Sequence, residues 1–436
     1  MQMSHIKTET DSTCVMTYSH DGFGLGHLRR NTRIASEFVK QVPQSSVLML
    51  IGCPVGAVFK VPGGVDFIKL PSIIKCDTGV WHPSRLHIGV EKTKALRAAT
   101  IQQVAQVFHP ELLLVDHMPV GVWGELFPLL EMLKRRAKPP VIVLGLRELL
   151  DQPEVTRTLW ERDGTYKAIR EYYDEIFIYG CAEVFDTSYH YGLQNEFAPK
   201  IRYCGYVCAK EPYKSKEQMR KELGIKQNLI VVTGGGGADA YPMMMACMKA
   251  LRSLGSHAHV QAIFICGPLM DDAQRERLRE EAIHHNIRVL TYVEDSLSYL
   301  NAADLVVTMA GYNSICEVLQ LRKKSLVVPR SGPSAEQQMR AHLIAQRGLA
   351  EVIHPRDLSP KKMAAKLMEN LQSKDVPSNA PTHGPMINTN GARDAAARLA
   401  QLLASRVYQP AQSHIDSQVY RLADERPASH NRWRVS

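Results

Sequence analysis

Val306-Val307-Thr308-Met309-Ala310-Gly311-Tyr312-Asn313-Ser314-Ile315-Cys316-Glu317 is the stretch whose reading decides the fold. Leu305 to Val307 is an apolar strand, Met309 to Gly311 make a turn, and Ile315, Val318 and Leu319 share one face of the helix that follows. Such a turn leaves backbone N–H groups unpaired at a helix start. It also sets the positive end of the helix dipole at the C-terminal edge of a sheet, where a diphosphate fits. Glu317, a turn inside the helix, is placed to reach past the phosphates to the vicinal hydroxyls of a ribose, as acidic residues do in Rossmann-like sites. An ordinary strand–turn–helix of an α/β core has the same pattern, so the neighbours must decide.

Upstream, residues 289–304 read as a strand, a loop and a short helix; downstream, Leu326-Val327-Val328 is closed by Pro329. Glu336-Gln337-Gln338 opens another helix, which ends at Arg347-Gly348-Leu349-Ala350. This order, over residues 229–370, resembles the C-terminal, nucleotide-sugar-binding half of GT-B glycosyltransferases, most closely the MurG-like family. That family adds N-acetylglucosamine to a lipid-linked acceptor. The resemblance implies an α/β fold of the GT-B type, two Rossmann-like domains facing across a cleft. It also implies that the donor diphosphate sits on Gly311, Asn313 and Ser314, that the backbone at Val293 reads the nucleobase, and that Gln337 and Gln338 contact the donor sugar or its nucleotide. The position before the glutamine pair varies in kind within the family and is Glu336 here, so the sugar preference stays open.

At 436 residues the chain is too long for one ordinary core. A 45% hydrophobic and 22% charged composition is that of a globular protein. No apolar run approaches the roughly 20 residues that span a bilayer, and Met1 to Thr13 is too polar for a secretory signal. The nine cysteines are scattered, mostly in apolar segments such as those of Cys14, Cys53, Cys266 and Cys316. The close pair Cys204 and Cys208 lacks the companions of a zinc site, so a reducing, cytoplasmic compartment is expected. The formal charge of +9 suits phosphate-bearing substrates or an anionic membrane surface, with peripheral contact at the inner face. The basic residues form no stripe and no nucleic-acid motif, so no nucleic-acid partner is expected.

Apolar runs at 14–19, 47–51, 66–70, 112–115, 141–144 and 176–179 alternate with helical or loop segments, as in a parallel sheet wrapped by helices. The charged, Pro-bearing stretch 209–216 reads as the inter-domain linker, giving an acceptor-side domain over 1–208 and a nucleotide-sugar domain over 209–390. The second alternation runs through 229–233, 261–266, 288–292, 305–308 and 326–328. The Ala/Leu-rich helix 391–407 is expected to cross back onto the first domain, and 408–436 reads as a mobile tail.

After the first strand comes Gly22-Phe23-Gly24-Leu25-Gly26-His27-Leu28-Arg29-Arg30. A glycine pattern alone is weak, but with the histidine and arginines it resembles the Gly-x-Gly-His-x-x-Arg signature of MurG-like transferases and of the UDP-sugar hydrolases of pseudaminic acid synthesis. In both, the loop faces the cleft near the acceptor. Histidine titrates near neutral pH and can take a proton from a hydroxyl nucleophile, and Gly24 and Gly26 let substrate approach the backbone. His27 is therefore the candidate base, with His20 as runner-up and helix capping as the plain alternative. Arg29 or Arg30 offers an acceptor-phosphate contact. Asp116, at the end of a buried strand, is placed to orient His27, to bind an acceptor hydroxyl or to cap a turn; Arg147 ends the next strand and offers a further acceptor contact. Gly234, Gly235, Gly236 and Gly237 carry a high conformational cost, which suggests close approach of the donor diphosphate. The loop lacks the Lys-Ser/Thr of a P-loop.

These readings converge on an inverting glycosyltransferase that needs no cofactor or metal and moves a sugar from a nucleotide diphosphate, UDP-linked by resemblance, to an acceptor hydroxyl. A nucleotide-sugar hydrolase or epimerase on the same fold, and a non-catalytic nucleotide-sugar-binding protein, are the alternatives.

Overall fold

The computed structural model describes residues 12–20, 26–53, 61–77, 79–255, 259–283, 285–332, 334–373 and 387–407. Gly24 and the segment 408–436 lie outside the described residues. The N-terminal strands are β1 (Cys14–Ser19), β2 (Ser46–Ile51), β3 (Val65–Lys69), β4 (Ile73–Asp77), β5 (Val80–Pro83), β6 (Leu112–Asp116), β7 (Val141–Arg147), β8 (Glu175–Tyr179) and β9 (Ile201–Tyr203). All but β4 and β5 form one parallel sheet in the order β3-β2-β1-β6-β7-β8-β9. Its central strands are buried along their whole length, because helices cover both faces, so they read as continuous apolar runs. Ile34 and Phe38 of the helix Gly26–Gln41 pack on one face, and Leu129, Leu130 and Ile169 on the other.

The second sheet contains β10 (Asn228–Thr233), β11 (Val260–Ile265), β12 (Ile287–Leu290), β13 (Leu305–Thr308), β14 (Ser325–Val327) and β15 (Glu351–Val352). It is also parallel, in the order β12-β11-β10-β13-β14-β15. In both sheets the strand order reverses beside the first strand, between β1 and β6 and between β10 and β13. Ligands of open α/β sheets bind at such switch points, outside the carboxyl ends of the strands.

The antiparallel hairpin β4–β5 stands apart from both sheets, and no apolar run in the sequence marks it. Its exposed Ile74 and Val80 break the buried alternation that a strand shows when one face is covered. The helix Gly391–Val407 lies against Gly26–Gln41, with Ala392, Ala395, Ala396 and Leu399 in the N-terminal core and Arg398 paired with Glu175. The return starts before residue 391: Asn388 accepts the Tyr206 N–H through its carbonyl, and Asn390 bridges to Val207. Among the described residues no helix is long and apolar enough to cross a membrane.

Candidate active site

The carboxyl ends of the two sheets face one cavity of about 670 Å³. His20 follows β1, and His117 follows β6. Across the cleft, Gly234 to Gly237 follow β10, and Gly311 to Ser314 open the helix Tyr312–Leu321. Two helix N-termini, at Gly26 and Gly311, thus converge on one space. Asn313 ties them together: its Nδ2 donates to the Gly26 carbonyl at 3.3 Å and its Oδ1 accepts from Arg33 at 3.4 Å.

His27 does not cap its helix. Its Nδ1 lies 2.5 Å from Asp116 Oδ2. Asp116 is fully buried and also accepts from Arg30, Nε to Oδ1 at 3.0 Å and Nη2 to Oδ1 and Oδ2 at 2.8 and 2.6 Å. Burial would raise the Asp116 pKa, but the charges of Arg30 and His27 and their hydrogen bonds hold it well below the usual carboxylate range. His27 Nδ1 lies 2.5 Å from Asp116 Oδ2 and 2.9 Å from Arg30 Nη2; a proton on Nδ1 serves the shorter contact, to the ionised carboxylate, and leaves Nε2 as the basic nitrogen. Arg30 is 1% exposed and bound to Asp116, so the acceptor-phosphate role considered for it is corrected to holding that carboxylate.

His20 and His117 pack around His27, with ring centroids 4.6 and 5.2 Å from it and 5.5 Å from each other. Burial first, then neighbouring charge (His27 beside His20, Arg147 beside His117), pushes both pKa values well below the ordinary histidine value. Both are therefore neutral at pH 7. The Nδ1 of each is buried without a hydrogen-bond partner among the described residues. Among those residues no group of three or more His, Cys, Asp or Glu side chains could hold a metal ion.

On the opposite wall all four glycines of 234–237 line the cavity, but for different reasons. A Cβ on Gly234 would meet Ala240, and one on Gly237 would run into the Cys266 carbonyl, so the chain itself demands glycine there. Close ligand approach is thus the reason for at most Gly235 and Gly236. Gly235 has φ +60° and faces Ser314 Oγ.

The two domains also meet through buried charge. Arg147 donates to Glu336 at 2.7 Å, and Arg340 lies 2.6 Å from Glu148 and 2.8 Å from Glu336. Burial raises the Glu336 pKa, but Arg147 and then Arg340 lower it further, to about 2. The acceptor contact expected of Arg147 is thus replaced by a bridge to the donor-side domain. Tyr312 seals the joint, donating from its hydroxyl to the Tyr179 carbonyl at 3.1 Å and accepting from the Val207 N–H at 2.9 Å.

Gln337 lines the cavity and its Oε1 accepts the Arg330 N–H at 3.2 Å. Gln338 does not line it: its Nε2 donates to the Arg330 and Ser331 carbonyls. Val293 is also off the wall, its half-buried side chain packed against the core that holds Leu229 and Val231 of β10. Glu317 sits behind the helix start with its carboxylate 3.5 Å from Arg29 and 3.6 Å from Arg33. Sequence reasoning missed Lys75 and Trp81 of the hairpin, and also Trp123 and Trp160, all of which line the cavity. It missed Glu148 and Arg340 too, although the i,i+4 spacing of Glu336 and Arg340 signals a charged helix face.

Paired parallel-sheet domains with both switch points opening on one cleft define a protein of the GT-B class. Residues 229–399 match the glycosyltransferase family 28 C-terminal domain. It is 28% identical over 166 residues to the UDP-N-acetylglucosamine--N-acetylmuramyl-(pentapeptide) pyrophosphoryl-undecaprenol N-acetylglucosamine transferase of Moorella thermoacetica, which covers 37% of this chain and 45% of that one. The chain thus spans about half the length of the curated relatives it matches. The fold superimposes on MurG of Acinetobacter baumannii with a TM-score of 0.54 at 14% identity, covering 91% of this chain and 99% of that one. It superimposes on a calicheamicin glycosyltransferase with a TM-score of 0.58 at 13% identity, covering 93% and 100%.

Proposed function

We propose that this chain is an inverting glycosyltransferase that takes its sugar from a nucleoside diphosphate of the UDP class. The observation that carries the reading is the His27–Asp116 contact of 2.5 Å on the wall opposite the Gly311 helix start. The acceptor hydroxyl gives its proton to His27 Nε2, and its oxygen attacks the anomeric carbon as the bond from that carbon to the diphosphate breaks. One displacement inverts the anomeric centre. Asp116, kept ionised by Arg30, balances the imidazolium that forms, the same division of labour as in a Ser-His-Asp triad. Negative charge growing on the leaving diphosphate meets the free N–H groups of residues 311–314 and the loop at Gly235 and Gly236, which is electrostatic preorganisation. In this reading Glu317 takes the ribose hydroxyls, which replace two arginine contacts that are long for hydrogen bonds, at 3.5 and 3.6 Å. The buried Arg147–Glu336 and Arg340–Glu148 pairs hold the domains together over the reacting atoms and exclude water.

The test is a panel of UDP- and GDP-sugars, each incubated with and without candidate acceptors. Nucleoside diphosphate released only when an acceptor is present is the expected result. Release of free sugar without acceptor would make the protein a hydrolase, and binding without turnover would make it a nucleotide-sugar-binding protein.

A further inference from the structure

On the N-terminal side of His27 the cavity continues into a recess with an unusual wall. Trp81, Trp123, Phe127, Leu159 and Trp160 line it, and Trp81, Trp123 and Phe127 are only half-buried, with apolar surface left uncovered. Trp123 is held at φ +58°, in the left-handed region that a bulky side chain rarely adopts. His117 in the same connection is at φ +72°. Side chains held in such conformations cluster at ligand sites, where the surrounding structure over-determines them.

Lys75 is one of the cations that line this cavity. Lys75 and Trp81 are cross-strand partners in the hairpin β4–β5, so both project from the same face, and both line the cavity. The hairpin tip is closed down on the helix Pro153–Arg162, since a Cβ on Gly79 would touch Leu159 and Arg162. Nearby acids are already engaged. Asp151 accepts the N–H groups of Gln152 and Ala335, and Asp163 pairs with Arg162 at 2.7 Å. Among the described residues no hydrogen bond or ion pair holds the Lys75 ammonium.

We infer that the acceptor is a molecule with a compact, ring-bearing apolar body and an anionic group, the body stacking among Trp81, Trp123, Phe127 and Trp160 and the anion resting on Lys75. This rests on the glycosyltransferase reading above, and it supplies the acceptor class. Aromatic walls favour planar or puckered rings through face and edge contacts, and a half-buried ammonium favours a counter-charge over a neutral group.

The probes are 8-anilinonaphthalene-1-sulfonate and its neutral counterpart N-phenyl-1-naphthylamine, followed by energy transfer from tryptophan, with UDP titrated by calorimetry on the same preparations. The sulfonate is expected to bind one to one and about tenfold more tightly than the neutral probe. In Lys75→Gln that ratio is expected to fall to about one, with the neutral probe unchanged. Trp123→Ala is expected to weaken both probes at least about fivefold, and Trp81→Ala does the same should Trp123→Ala fail to fold. Equal binding of the two probes, an unchanged ratio in Lys75→Gln, or full binding in the tryptophan variants overturns the inference. If UDP binds while the probes fail, the acceptor class falls alone. If the probes behave as expected and UDP does not bind, the donor reading falls while the recess stands.

Discussion

Asp116→Asn separates the catalytic reading from a purely structural one. Asp116 receives three contacts from Arg30, at 3.0, 2.8 and 2.6 Å, and one from His27 at 2.5 Å. Asparagine offers one oxygen and one NH2 group in the same volume. Its oxygen takes the Oδ1 place, where two of the three Arg30 contacts fall, so its NH2 takes the Oδ2 place beside His27 Nδ1. That turns the imidazole to the tautomer with its proton on Nε2, and the basic nitrogen no longer faces the acceptor. A positioned base is worth about 10²–10⁴-fold, so turnover should fall by that factor while UDP still binds. Arg30, 1% exposed, also loses its counter-charge, which typically costs about 3–5 kcal/mol. His27→Ala is the companion variant. It should lose the same rate factor but only about 1–3 kcal/mol, since Arg30 and Asp116 stay paired. The assays are nucleoside diphosphate release with the best donor–acceptor pair, UDP calorimetry, and urea unfolding. Turnover within about threefold of wild type in Asp116→Asn would refute the assignment of the base and of its partner.

Glu317→Ala should raise the donor KM at least about tenfold with the fold intact, read from steady-state kinetics; an unchanged KM removes Glu317 from the ribose. Gly236→Val should abolish UDP binding in calorimetry with little change in Tm, whereas Gly237→Ala should lower Tm because its Cβ meets the Cys266 carbonyl. A wild-type UDP affinity in Gly236→Val places the loop outside the donor site. Acid should destabilise the protein in two stages. The folded-state pKa values of His20 and His117 are lowered, so the unfolded chain takes up those protons first and stability falls as pH drops below about 6.5. Glu336, lowered from 4.5 to about 2, adds a loss on the order of 3 kcal/mol between those two pH values. Urea midpoints that stay flat from pH 7 to pH 3 contradict both burial arguments. In Glu336→Gln the loss below pH 4.5 should shrink, because the titrating group is gone.

The strands were legible because parallel strands buried on both faces read as unbroken apolar runs. Val141 to Leu144 and Leu229 to Thr233 fall inside β7 and β10. The glycine loop after β10 was legible because Gly235 and Gly237 take a positive φ that few other residues tolerate, and the places of the loops after β10 and β13 put them at the switch point of the second sheet. Residue type and position along the chain carried that much. The hairpin β4–β5 left no such trace, since its strands are short and largely exposed. With it went Lys75 and Trp81, whose role depends on what the hairpin covers.

What residue order cannot encode locally is pairing across long separations. Asp116 is 89 residues from His27, and Glu336 is 189 from Arg147; either carboxylate read alone is a capping group or a solvated charge. Tertiary structure decided that Arg30 serves Asp116 and not a phosphate, because both lie in the dry space under β1 and β6, where an ion must find its partner nearby. It also decided that Gly234 and Gly237 make room for their own chain. Periodicity and backbone tolerance are local properties and survive in the sequence. Desolvation and counter-charge arise only when distant segments exclude water together, so they belong to the fold.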